Sequence, residues 1–241
     1  MNFQYFFENC RVLFSQNRLS PPNEAEAAKL FELTEIMLTV NQTMNLTAIK
    51  EEKAIILKHY VDSMLIAEHI PAGSTVLDVG CGAGFPTFPL AILRPDLQIM
   101  AMDSTAKRIQ YVQNTAKTLE LDNVQALACR AEEAAHTEMR ESFDVVTARA
   151  VASLPVLCEL CLPFAKIGGR FVAMKAKQAE TELTESQNAI RLCGGRLADT
   201  AQYALTDGDS QEPRTVAIVS KLSATPQNYP RHFSKISKKP L

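Results

Sequence analysis

The residues of this chain best suited to chemistry are three alternate glycines and an acid in the region that follows them. The stretch TVLDVGCGAGFPTFPL, residues 75–90, carries Gly80, Gly82 and Gly84 directly after an apolar run. Asp103 ends the next apolar run, 23 positions after Gly80. Glycines let a backbone approach a ligand closely, and an acid about 20 residues after such a loop is typical of a ribose contact. The pattern therefore predicts a ligand that contains a ribose.

Two features distinguish a dinucleotide from S-adenosylmethionine, which both contain a ribose. The dinucleotide fingerprint G-x-G-x-x-G would place its third glycine at position 85, which is Phe85 in this chain. Asp78 lies two residues before the loop, where a carboxylate would repel a pyrophosphate and attract the ammonium group of a methionine moiety. We therefore predict S-adenosylmethionine as the cofactor, with the three glycines and Asp103 among its contacts.

The segment after the third apolar run is a candidate for adenine contacts. It reads Arg130-Ala131-Glu132-Glu133. Ala131 can present its backbone to the edge of the ring, and Glu132 can orient the groups around it. The acids have a second explanation, because carboxylates are also favourable where a helix begins. Both interpretations remain open on the sequence.

The nature of the methyl acceptor is narrowed by motifs that the sequence does not contain. A cytosine C5 acceptor requires a cysteine nucleophile, usually in a Pro-Cys step after the fourth strand, and the chain has no Pro-Cys step. An exocyclic amine acceptor usually comes with a polar-Pro-Pro-aromatic motif, whereas this chain has TARAVASLP there. Neither of these two base chemistries is therefore indicated.

Three cations stand at the ends of successive predicted strands and are the candidate catalytic residues. Arg149 follows the fourth strand, Arg130 the third and Lys175 the fifth. A cationic rim suits a phosphate-bearing substrate. It also suits an acceptor with a free lone pair, such as guanine N7, for which positioning matters more than a general base. Each cation can instead be a surface charge or the partner of one of the acids named above.

Hydrophobic periodicity predicts the elements that position these residues. Short runs rich in β-formers occur at TVLDV (75–79), LQIMAMD (97–103), VQALA (124–128), FDVVTA (143–148) and RFVAMK (170–175). Helix-length segments alternate with most of them: KRIQYVQNTAKTL from Lys107, AEEAAHTEM from Ala131 and SLPVLCELCLPFA from Ser153. This alternation predicts an α/β fold with a parallel sheet covered on both faces. Ligands bind such sheets at the carboxyl ends of the strands.

The two ends of the chain depart from this alternation. Residues 1–70 are predicted to be helical, with one helix from Asn23 and another over EEKAIILKHYVDSMLIAEHI. RLADTAQYALT and RTVAIVSKL leave no room for a helix between them, so they are predicted to pair antiparallel. We therefore expect a helical N-terminal extension (1–70), a catalytic domain (71–222) and a basic C-terminal tail (223–241).

Composition places the chain among ordinary soluble globules. Its 241 residues are 46% hydrophobic and 22% charged, and no apolar run approaches the ~18 residues of a membrane span. The N-terminus lacks the basic region of a signal peptide. We expect a cytoplasmic monomer with no membrane or metal partner. Cys158 and Cys161 form a Cys-x-x-Cys pair, which we interpret as two packed thiols because no second ligand pair follows.

The charge of the chain is unevenly distributed. Five basic residues and no acid lie between 221 and 241, and the remaining 20 basic residues against 27 acids leave the first 220 residues at −7. An acidic body with a basic tail indicates a polyanionic partner. A tail that only confers solubility is the alternative.

Taken together, these segments resemble the bacterial GidB/RsmG family, methyltransferases that modify guanine N7 in a loop of 16S ribosomal RNA near the decoding site. The glycine loop alone would indicate only a methyltransferase, but the order and spacing of all the segments are specific. The resemblance rests on NLTAI (45–49), KHYVDS (58–63), LDVGCGAGFPTFPLAI (77–92), MDSTAKR (102–108), CRAEE (129–133), FDVVTARAVASL (143–154) and MK (174–175).

The resemblance implies a class I methyltransferase fold of the Rossmann-like type, with a mostly parallel seven-stranded sheet. It implies cofactor contacts at Gly80, Phe85, Ala131, Glu132 and Arg149. It implies that Arg130, Arg149 and Lys175 surround the target base. His59 and Asp62 would belong to a helix that faces the mouth of the active site, or that simply packs on the edge of the sheet.

Three positions depart from the family pattern. Thr87 and Ala176 stand where glycine is usual, which could narrow the approach of the backbone to the ligand. Lys58 stands where arginine is usual, which exchanges a forked donor for a point charge. We expect transfer of a methyl group from S-adenosylmethionine to a guanine N7 of 16S ribosomal RNA, either free or in an assembling small subunit. A non-catalytic cofactor-binding module and a small-molecule methyltransferase are the alternatives.

Overall fold

Seven strands form one mixed sheet in the computed structural model, which describes residues 2–149, 152–175, 179–208 and 210–241. The strands are β1 Thr75–Val79, β2 Gln98–Asp103, β3 Val124–Ala128, β4 Phe143–Arg149, β5 Ala165–Lys175, β6 Gly195–Asp207 and β7 Ser210–Lys221. Their order is β3-β2-β1-β4-β5-β7-β6. β1 to β5 pair in parallel, and β7 pairs antiparallel with β5 and β6. The predicted parallel sheet with an antiparallel C-terminal hairpin is confirmed.

Ten α-helices accompany the strands within the described residues. They are α1 Phe3–Gln16, α2 Glu24–Met44, α3 Glu52–Ile55, α4 Asp62–Met64, α5 Thr87–Leu93, α6 Ala106–Thr118, α7 Ala131–Ala134, α8 Leu154–Cys161, α9 Ala179–Leu192 and α10 Phe233–Lys238. Helices α5, α9 and α10 were not predicted from the periodicity. α7 is much shorter than the predicted segment: it is a single turn, and the residues after Ala134 form turns. None of these helices is both long and apolar enough to cross a membrane.

The helical N-terminal region covers one face of the sheet. Asn23 begins α2 with a capping box, in which its side chain accepts from the backbone of Glu26 and the Glu26 side chain accepts in return. The helix predicted over 51–70 ends earlier, at Met64, and within it a π-helical segment, Ile56–Val61, joins α3 to α4 without a gap. Such segments are frequent at functional sites. Apolar residues of this region, among them Phe6, Leu30 and Tyr60, share one core with Phe88 of α5 and Val145 of β4.

The other face of the sheet is covered by α8 and α9, and α10 packs against α8. Cys158 and Cys161 are fully buried on α8, and burial raises the pKa of Cys158. They therefore pack as apolar thiols. The end of the chain belongs to the same core, because Ile236 of α10 is fully buried there.

Candidate active site

A cavity of about 510 Å³ opens at the carboxyl ends of the parallel strands, near β1 and β4, where the strand order changes direction. We call it the first cavity. Its walls come from the glycine loop after β1, the ends of β2, β3 and β4, the helical N-terminal region, α8 and the C-terminal segment. The predicted site residues that line it are Gly80, Gly82, Phe85, Asp103, Arg130, Ala131, Glu132 and Arg149.

The glycine loop needs its glycines for two different reasons. Gly80 and Gly82 line the first cavity with φ of 75° and 56°, a left-handed conformation that favours glycine. Gly84 also has a left-handed φ, of 86°, but it is not among the residues that line this cavity. A Cβ at Gly84 would lie 2.2 Å from the ring of Phe88. Packing of the loop on α5 therefore accounts for the glycine at position 84, and the ligand contact predicted there stays a prediction.

Asp103 is positioned by the loops on either side of it. Its Oδ2 accepts the backbone N–H of Gly82 at 3.1 Å, and its Oδ1 accepts the backbone N–H of Thr105 at 2.8 Å. Arg108 donates to Oδ2 at 3.4 Å. The carboxylate is 6% exposed and lines the first cavity. A carboxylate offers about four acceptor sites. The two backbone hydrogen bonds use two of them, so Asp103 can accept a pair of ribose hydroxyls if the long contact from the half-exposed Arg108 is given up.

Glu132 is a buried acceptor without a donor. It is 7% exposed, and its Oε1 has no hydrogen-bond partner. The nearest cation is Arg130, whose Nη1 lies 3.9 Å away and whose side chain is 55% exposed. A buried polar atom left unpaired costs roughly 1–3 kcal/mol. Glu132 therefore fits a ligand that donates a hydrogen bond within the first cavity, such as one with an amino group.

Asp78 does not face the first cavity, contrary to the expectation that it meets the ammonium group of the ligand. It is 1% exposed, and its Oδ2 accepts from the hydroxyl of Thr87 at 2.6 Å. Burial raises the pKa of Asp78 to about 6, against the opposing effect of this hydrogen bond. Thr87, at a position where glycine was expected, is itself fully buried. It therefore provides a partner for Asp78 and does not narrow the cavity.

Phe85, His59 and Arg149 form a stack at one end of the first cavity. The rings of His59 and Phe85 are parallel, with centroids 4.4 Å apart, and the guanidinium of Arg149 lies 5.4 Å from the Phe85 centroid. Nη1 of Arg149 donates to Asp62 at 3.1 Å and to the carbonyl of Lys58 at 3.0 Å. Burial, together with the nearby charge of Arg149, lowers the pKa of His59 to about 3. The stack therefore contains a neutral imidazole beside a fixed cation.

A second cavity of about 490 Å³ shares His59 and Arg149 with the first as lining residues. Lys175 lines this second cavity and is not among the residues that line the first. Its Nζ donates to Glu182 at 2.8 Å and to the carbonyl of Ala152 at 2.9 Å. The three predicted cations therefore do not form one rim.

Paired charges form the outer wall of the second cavity. Arg214 of β7 donates to Asp62 at 3.0 Å and to Glu212 at 3.3 Å. Lys58 pairs with Glu212 at 2.5 Å. The lysine at this position, where the resembling family usually has arginine, therefore has an acidic partner. Asp62 thus binds Arg149 with one oxygen and Arg214 with the other.

The predicted cations have partners other than those expected, and further residues line the cavities. Arg149 and Lys175 pair with Asp62 and Glu182 rather than with the acids proposed from the sequence. Ala176 lies outside the described residues. Arg108, Arg214 and Phe233 also line the cavities, and their types and spacing in the sequence did not predict this. Arg108 lies in the segment MDSTAKR and Arg214 begins the predicted strand RTVAIVSKL, but neither position indicated a place in the site.

The residues of the first cavity fit S-adenosylmethionine. Gly80 and Gly82 allow the backbone to approach the ligand, Asp103 has free acceptor capacity for ribose hydroxyls, and Glu132 carries an unpaired acceptor. When bound, S-adenosylmethionine supplies an electrophilic methyl group on its sulfonium.

Curated relatives share most of the chain. A family model described as GidB, rRNA small subunit methyltransferase G, matches residues 26–207. A relative from Staphylococcus saprophyticus, named ribosomal RNA small subunit methyltransferase G, is 44% identical over 209 residues, which cover 86% of this chain and 87% of the relative. A relative of the same name from Clostridium kluyveri is 38% identical over 222 residues, or 91% and 92% of the two chains.

Solved structures show the same fold at low identity. TYW2 of M. jannaschii, solved in complex with AdoMet, aligns with a TM-score of 0.52 and 16% identity over 67% of this chain and 75% of that one. A precorrin-6y C5,15-methyltransferase from Geobacter metallireducens aligns with a TM-score of 0.52 and 16% identity over 74% and 92%. The fold is that of class I methyltransferases, and S-adenosylmethionine is the cofactor. The chain belongs to the GidB family, rRNA small subunit methyltransferase G.

Proposed function

We propose that this protein transfers a methyl group from S-adenosylmethionine to N7 of a guanine in 16S ribosomal RNA, in the loop of the decoding region. The relatives named ribosomal RNA small subunit methyltransferase G support the class of substrate. The observation that carries the proposal for this chain is the junction of the two cavities at Arg149 and His59. Donor and acceptor must meet for a methyl transfer, so the acceptor base enters through the second cavity.

The lining of the second cavity suits a nucleotide base beside phosphates. Leu65, Met174 and Val216 contribute apolar surface, which an aromatic base can contact. Lys175 and Arg214 contribute cations at the same cavity. Cations that line a site for nucleic acid contact its phosphates and fix its register. The target guanine would therefore leave its loop and lie between apolar and cationic surfaces.

The protonation states at the junction favour an acceptor that needs no base. The low pKa of His59 makes its imidazole a weak proton acceptor, and its Nε2 lies 2.9 Å from the hydroxyl of Thr47. Both oxygens of Asp62 are held by arginines. Guanine N7 has a free lone pair and loses no proton when it is methylated. The chain's own contribution is then to position the base and exclude water.

The test is methyl transfer to undermethylated small-subunit RNA and particles with labelled cofactor. Nucleoside analysis should recover the label as N7-methylguanosine, and mapping should place it in the decoding-region loop. Label on another base or atom would contradict the guanine N7 assignment.

Two further arms separate the alternatives. Cofactor binding without transfer to any RNA would favour a non-catalytic module. Transfer to a small molecule at a rate that does not depend on salt would favour a small-molecule methyltransferase, because RNA affinity falls steeply with ionic strength.

A further inference from the structure

The C-terminal segment, residues 223–241, is anchored more firmly than a chain end usually is. Glu159 of α8 is fully buried. Its carboxylate accepts three hydrogen bonds from Arg231: the backbone N–H and Nε at 2.8 Å, and Nη2 at 2.6 Å. A buried carboxylate is costly unless it is paired and hydrogen-bonded. Glu159 therefore holds Arg231 at one place in the fold.

Arg140 anchors the preceding part of the segment. Its guanidinium donates to four backbone carbonyls, those of Ala135, Thr225, Pro226 and Tyr229. The imidazole of His136 adds a contact of 3.1 Å to the carbonyl of Pro230. The backbone before α10 is thus fixed to the turn that follows α7.

This anchoring places one aromatic ring on the first cavity. Ile236 of α10 is fully buried in the core beside α8, and Phe233 begins the same helix. Phe233 lines the first cavity together with Leu160 of α8 and Ala131 of α7. Its side chain remains 38% exposed, so its ring is not used up by packing within the protein.

We propose that the C-terminal segment is a wall of the cofactor site and that Phe233 contacts the adenine of S-adenosylmethionine. Phe233 lines the same cavity as Glu132, which belongs to the segment after β3. Together they offer a ligand an apolar ring and the unpaired Oε1 of Glu132. An adenine presents a flat face to the ring and an amino group to the carboxylate. The proposal concerns the donor side and holds whatever the methyl acceptor is.

The experiment measures ligand binding by calorimetry for Phe233→Ala with S-adenosylhomocysteine and with 5′-methylthioadenosine. Losing an aromatic stack on a base weakens binding by roughly five- to tenfold at the lower end of the measured range. We expect this factor for both ligands, because 5′-methylthioadenosine keeps the adenine and lacks the amino acid. Phe233→Tyr keeps the ring and should bind within about twofold of the wild type.

Two controls separate this contact from a loss of folding. Leu222→Ala removes another exposed apolar side chain of the C-terminal region, 54% exposed, and should leave both affinities unchanged. The thermal midpoint of unliganded Phe233→Ala should stay within about 3 °C of the wild type, since a surface substitution changes stability little. Wild-type affinity for both ligands would overturn the proposal. So would a loss confined to S-adenosylhomocysteine, which would place the contact at the amino acid.

Discussion

The first and second cavities meet at Arg149, but they are built in different ways. The first is shaped by residues that follow strand ends directly, such as the glycine loop after β1 and Asp103 at the end of β2. The second is held by ion pairs between distant parts of the chain, such as Lys58 with Glu212 and Arg214 with Asp62. Local backbone thus shapes the cofactor side, and a network of side-chain charges shapes the acceptor side.

Arg149→Ala should have the largest effect, because Arg149 belongs to both cavities. It removes a fixed cation at the junction and leaves Asp62 with Arg214 as its remaining partner. Removing one preorganised charged donor typically lowers turnover by roughly 100- to 1000-fold. Single-turnover transfer to small-subunit RNA measures the effect, with calorimetry for the cofactor analogue.

Lys166→Ala is the matched control for the loss of a cation. Lys166 pairs with Asp144 at 2.8 Å, and neither residue lines the first or second cavity. Its turnover should equal that of the wild type. Comparable rates for Lys166→Ala and Arg149→Ala would remove Arg149 from the site and leave the two cavities without a functional junction.

Asp103→Ala tests the first cavity alone. It removes a carboxylate that is expected to accept ribose hydroxyls, and hydrogen bonds to charged groups contribute about 1.5–3 kcal/mol. We expect the dissociation constant of S-adenosylhomocysteine to rise by roughly 10- to 100-fold. The apparent Michaelis constant for RNA should change little, because Asp103 does not line the second cavity. An unchanged affinity for the cofactor analogue would show that the ribose lies elsewhere.

The parts of the fold that depend on local pattern could be predicted from the sequence. The five parallel strands carry short apolar runs, and the capped start of α2 stands in the sequence as Asn23 followed by Glu26. The π-helical segment within the helix predicted over 51–70 could not be predicted, because the apolar spacing there is also that of a regular α-helix. The length of α7 could not be predicted either, because good helix-forming residues continue beyond Ala134.

The candidate site could be predicted only where the residues that line a cavity follow strand ends. Gly80, Gly82 and Asp103 were found in this way. Arg214 and Phe233 were not, because a position on β7 or in the C-terminal segment reaches the cavities only through tertiary packing.

The count of basic residues in the sequence also overstated how many cations of the tail are free to meet a partner. Lys221 is 1% exposed and lies 3.3 Å from Glu141, and Arg231 neutralises Glu159. Two of the five basic residues counted after position 220 are thus committed to internal carboxylates. Exposed cations of the segment, such as Lys235 and Lys238 on α10, remain available to a polyanion.

His59, at the junction of the two cavities, makes the free energy of unfolding depend on pH. Its pKa is about 3 in the folded protein and about 6.5 in an unfolded chain. Between these values the unfolded chain binds more protons, so the free energy of unfolding falls as the pH is lowered. We expect the wild type to lose about 2 kcal/mol more than His59→Gln between pH 7.5 and pH 5. Urea denaturation at the two pH values measures this difference.

Asp78 has the opposite effect on the free energy of unfolding over part of this pH range. Its raised pKa, about 6, means that protonation favours the folded state as the pH falls from about 6 towards the unfolded value near 4. Asp78 is present in both proteins, so its effect cancels in the comparison. Equal losses in the wild type and His59→Gln would show that His59 titrates normally and that the junction is wetter than its packing indicates.

Arg214→Ala should have the smallest effect and tests the second cavity alone. Arg214 is expected to contact one RNA phosphate, and Asp62 keeps Arg149 as a partner when Arg214 is removed. RNA affinity should fall by roughly three- to tenfold, and the slope of its salt dependence should decrease by about one. Arg196→Ala removes an exposed cation from β6 outside both cavities and should leave the slope unchanged. A weakened cofactor affinity in Arg214→Ala would mean that the two cavities are one site, because a charge confined to the acceptor side has no means of holding the donor.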